Sequence, residues 1–146
     1  MQADRQYPDH TAVIEPGKGS ISYRELAAIS YEVRDRLNAD GVRPGDRVGL
    51  CLNKSIDTVA TIYGILKTGA AYVPVDPGAP PARSAYILNN CKVKVAVLGR
   101  RFEEKLRAEL EKLEAVPSLF VLDDTGNEAP LGVALAGAGE IGRACA

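Results

Sequence analysis

From Arg47 to Leu122 the chain repeats one pattern: a short apolar run, a cluster of turn residues, then a longer stretch with apolar positions three and four apart. Strand and helix alternating in this way predict an α/β fold, a mostly parallel sheet with helices on both faces, because each parallel return needs a crossover. Arg47-Val48-Gly49-Leu50-Cys51-Leu52 is apolar enough for a strand buried on both sides. The helix predicted from Ser55 to about Lys67 has Asp57 in its first turn, Lys67 in its last and Gly69 just beyond. That arrangement suits the helix dipole and a C-terminal cap. Its residues Ile56, Val59, Ala60, Ile62, Tyr63 and Leu66 wrap most of the circumference, so a largely buried helix is expected.

Ala71-Tyr72-Val73-Pro74-Val75 predicts a strand whose proline needs an edge, a bulge or a strand end. Pro81 suits the first turn of a short helix running through Tyr86, Ile87 and Leu88. Val93 to Leu98 alternates as a strand. Phe102, Leu106, Leu110 and Leu113 then mark an amphipathic helix, with Glu103–Arg107 and Arg107–Glu111 as i,i+4 pairs on its wet side. Ser118 to Leu122 closes the series as a strand.

Ahead of this repeat, Thr11 to Ile14 reads as a strand, Glu15 to Gly19 as a turn, and Ser20-Ile21 as a segment pairing back. Ser22-Tyr23-Arg24-Glu25 has the form of a capping box, in which each side chain satisfies the other's free backbone donor at a helix start. Leu26, Ile29, Val33 and Leu37 follow on one helical face, and Gly41 is a C-terminal stop. Val42 to Asp46 is turn chemistry. After Asp124 the periodicity ends. Two regions are therefore expected, an α/β subdomain over 1–123 and a Gly/Ala-rich, poorly ordered tail over 124–146.

Charge narrows the partners. Eighteen basic against nineteen acidic residues leave a net charge of −1, with no surplus to neutralise a phosphate backbone, so no nucleic-acid partner is expected. Arg100-Arg101 reads as a solvated helix start rather than a binding patch. The longest apolar stretch, Val59 to Leu66, is far short of the roughly 20 residues of a membrane span. Cys51, Cys91 and Cys145 fit neither a disulfide framework nor a paired-cysteine zinc site. Free thiols and a cytoplasmic location are the corresponding expectations.

Few residues suggest chemistry. Gly137-Ala138-Gly139-Glu140-Ile141-Gly142 satisfies G-x-G-x-x-G, but the sequence runs only to Ala146, without the helix, second strand and acidic residue that a dinucleotide site requires. His10, the single histidine, sits beside Asp9 in a polar lead-in and reads as exposed. Asp76 ends a strand, where α/β folds place functional groups, yet a turn-capping role beside Pro77 is the simpler reading. Tyr63 and Tyr72 read as amphipathic core residues. Asp123-Asp124 reads as an acidic strand end facing water rather than a metal site. No catalytic, cofactor-binding or metal-binding residue is assigned from the sequence.

Four segments together resemble the adenylate-forming superfamily, and within it the amino-acid adenylation domains of nonribosomal peptide synthetases. Ile21 to Leu26 resembles the family's first core motif, and Gly41 to Val48 the turn after its helix. Leu66-Lys67-Thr68-Gly69-Ala70-Ala71-Tyr72-Val73-Pro74-Val75-Asp76-Pro77 is similar to the second core motif almost residue for residue, and Pro81, Arg83 and Tyr86 to Leu88 fit the helix beyond. The likeness covers residues 10–123, the first part of the family's large N-terminal domain, and departs at the N-terminus, where relatives usually carry an amphipathic helix.

The resemblance implies a ligase that uses ATP and Mg2+ to turn an amino acid into an acyl-adenylate and passes it to a carrier-protein thiol. It also implies that the matching segments are scaffold. The Ser/Thr/Gly-rich phosphate loop and the C-terminal lysine of the family are not in this sequence, so a truncated piece, inactive alone, is expected. Its partners would be the remainder of the adenylation domain and a carrier protein. The alternatives are a non-catalytic interaction or regulatory fragment, half of a split enzyme, and a freestanding nucleotide-binding module using the tail glycines.

Overall fold

The computed structural model describes residues 2–114 and 116–123. The tail over 124–146, with its glycine motif and Cys145, lies outside the described residues, as does Asp124. The chain opens with a short helix, α1 (Gln2–Gln6), followed by a hairpin of β1 (Thr11–Glu15) and β2 (Gly19–Ser22). Then come α2 (Tyr23–Ala39), β3 (Arg47–Cys51), α3 (Ile56–Lys67), β4 (Ala71–Pro74), α4 (Pro81–Asn90), β5 (Val95–Gly99), α5 (Arg100–Lys112) and β6 (Ser118–Leu122). The polar lead-in is thus helical at Gln2–Gln6, although no residue of that turn is buried.

The main sheet is fully parallel, in the order β4-β3-β5-β6. The first strand in the chain, β3, therefore lies inside the sheet, with the next one to one side and the later two to the other. Side-chain alternation feeds two cores. Val48, Leu50, Val95, Val97, Phe120 and Leu122 join Leu26, Ile29, Val33 and Leu37 of α2 and Ala60 and Ile65 of α3. On the opposite face Cys51, Ala96, Leu98 and Leu119 meet Ala85 and Leu88 of α4 and Leu106 and Leu110 of α5. The result is three layers, α2/α3, sheet and α4/α5, as the strand–helix repeat predicts.

Local chemistry fixes the element starts. Ser22 Oγ accepts from Glu25 N at 3.2 Å, and Ser22 N donates to Glu25 Oε2 at 2.8 Å, completing the capping box. Gly41, at φ +92°, takes the left-handed conformation that ends α2. Among the described residues β4 pairs only with β3, and Pro74 sits on it with its missing N–H facing away from the ladder.

Two expectations need correction. α3 is not buried nearly all round: Ala60, Thr61, Gly64 and Ile65 are buried, while Tyr63 is 39% and Leu66 50% exposed. The face that packs is the one with small residues. A Cβ placed on Gly64 would lie 2.5 Å from Val33 Cγ1 and 3.0 Å from the Ser30 carbonyl, so α2 approaches too closely for larger side chains there. Tyr63 and Tyr72 are likewise surface residues, each 39% exposed, because α3 turns its small face inward and β4 is an edge strand. The strand expected over Val93 to Leu98 is present as β5. β5 begins at Val95 and is buried along its whole length, since both of its edges are paired and both faces are covered by helices. On α5, Arg107 turns to Glu103 at 3.0 Å, the first of the two expected pairs.

Candidate functional site

In a doubly wound sheet the carboxyl ends of strands diverge where consecutive crossovers go to opposite faces. Here that point lies between β3 and β5: the helix after β3 packs on one face, the helix after β5 on the other. A cleft of about 290 Å³ opens beside it, on the α4/α5 side. Cys51, the last residue of β3, and Leu106 form its apolar floor. Pro77 and Ala79 come from the turn after β4, and Pro81 and Ser84 from the start of α4. Arg101, Phe102 and Lys105, on the first turns of α5, complete the wall.

Asp76 makes the turn that presents Pro77 and Ala79. Its Oδ1 accepts from Gly78 N at 2.8 Å and its carbonyl from Ala79 N at 3.0 Å, as its position before Pro77 suggests. Two helix starts meet at the cleft without a capping side chain, α4 after Pro80 and α5 after Gly99. The helices of the other layer differ, with Ser22 capping α2 and Ser55 capping α3. Arg100 and Arg101 open α5, at the end of a helix where the dipole disfavours cations. Glu103 takes up Arg100 at 3.9 Å and Arg107 at 3.0 Å, and Arg101 and Lys105 are basic residues of the cleft wall. Arg100 and Arg101 are both exposed at the start of α5, in line with their reading as a solvated helix start.

The remaining sequence candidates lie elsewhere. His10 stacks on Tyr7 with ring centroids 5.1 Å apart, its carbonyl accepts from Tyr23 N, and the ring is exposed. Neighbouring Asp9 pairs with Arg24 at 3.2 Å, an exposed ion pair of small energetic weight. Among the described residues no group of three His, Cys, Asp or Glu is placed to hold a metal ion. Cys51 is buried, Cys91 half-buried, and both are free thiols. No described helix is long and apolar enough to cross a membrane. Sequence reasoning missed Ser84 and Lys105, and the legible signal was the pair of arginines opening a helix against its dipole.

Comparison with known proteins places the fold in context. A family model described as AMP-binding enzyme matches residues 1–138. Bacitracin synthase 1 of Bacillus licheniformis is 38% identical over 105 residues, 72% of this chain but 2% of that protein. Among solved structures, the nonribosomal peptide synthetase FmoA3 is 35% identical with a TM-score of 0.67, over 72% of this chain and 11% of that one. A long-chain-fatty-acid-CoA ligase, FadD1 of Archaeoglobus fulgidus, superposes with a TM-score of 0.77 at 26% identity, over 94% of this chain and 28% of that one. The chain thus spans a small fraction of each relative's length.

Proposed function

Because this chain belongs to the family of AMP-binding enzymes, we propose that it forms the first α/β portion of an amino-acid-activating, AMP-forming ligase. The complete domain would join an amino-acid carboxylate to the α-phosphate of ATP, release pyrophosphate and hand the acyl-adenylate to a carrier-protein thiol. The observation that carries this reading is the segment Leu66 to Pro77, whose sequence resembles the amino-acid-activating branch and whose residues run from the end of α3 through β4 into the Asp76 turn. Relatives among the nonribosomal peptide synthetases support it.

The described residues do not fit the Mg-ATP site that such a reaction needs. They provide no metal-binding group of three, and the sequence has no Ser/Thr/Gly-rich loop to supply backbone donors to phosphates. No step of the reaction is therefore assigned to side chains of this chain; its contribution is scaffold. The remainder of the adenylation domain and a carrier protein are the corresponding partners.

ATP–pyrophosphate exchange tests the reading. The purified 146-residue chain should catalyse none with any amino acid. Joined to the remainder of a synthetase adenylation domain, from its phosphate loop onward, it should support amino-acid-dependent exchange. Exchange by the chain alone would overturn the scaffold assignment, and a joined enzyme that accepts only fatty or aryl acids would overturn the amino-acid assignment.

A further inference from the structure

We draw no further inference here: the strongest candidate, the exposed apolar patch that Tyr63 and Leu66 form on the outer face of α3, is a helix face with nothing among the described residues to show what covers it.

Discussion

Ser22 and Asp76 show how much a single side chain can settle when its partner is close in sequence. Ser22 meets Glu25 three residues on, and Asp76 meets Gly78 two residues on, so both interactions are legible from the residue string. Ser22→Ala should lower stability by about 1 kcal/mol, since it exposes an unsatisfied donor at the start of a seventeen-residue helix. A urea titration of the two proteins measures it, and an unchanged midpoint would mean that α2 is held by tertiary contacts alone. Ser84 behaves in the opposite way. Its sequence neighbours are those of an ordinary helical serine, and its place in the wall of the cleft emerges only when the start of α5 is folded against it. Tyr63 and Tyr72 belong with Ser84: their amphipathic character is compatible with core or surface, and packing chose the surface.

Elements follow the same division. The existence, type and starts of the helices and strands from Thr11 onward are encoded by periodicity, caps and prolines. The buried face of α3 is not, because its apolar residues occupy nearly the whole circumference and hydrophobicity leaves several faces equivalent. Close approach to α2 resolves the choice in favour of Ala60 and Gly64. Gly64→Ala is a sensitive test. Helix propensity favours alanine by about 1 kcal/mol, whereas overpacking costs about 1–3 kcal/mol. With Val33 Cγ1 at 2.5 Å and a backbone oxygen at 3.0 Å, the clash should win, giving a net loss of about 1 kcal/mol by denaturant unfolding. Tyr63→Gln, one residue away on the exposed face, should stay within about 0.5 kcal/mol of the parent. A stabilised Gly64→Ala protein would show that the two helices can separate without penalty.

In the assembled molecule the two cores share every inner strand, so they should unfold together. Leu37→Ala in one layer and Leu110→Ala in the other each remove a fully buried side chain, at about 2–5 kcal/mol. Both should shift one common transition seen alike by fluorescence and circular dichroism. Separate transitions would mean that the α4/α5 layer is an independent unit. The strand–helix alternation, the parallel sheet, the confinement of Pro74 to an edge, a bulge or a strand end, and the scaffold resemblance from Ile21 to Pro77 were all present in the sequence. Each depends on periodicity or on partners a few residues apart. The order β4-β3-β5-β6, the inward face of α3 and the cleft that gathers Ser84, Arg101 and Lys105 came with the fold. Those features join residues from β3, α4 and α5, and whether a side chain is buried, paired or left open is set by neighbours that are near in space and distant along the chain.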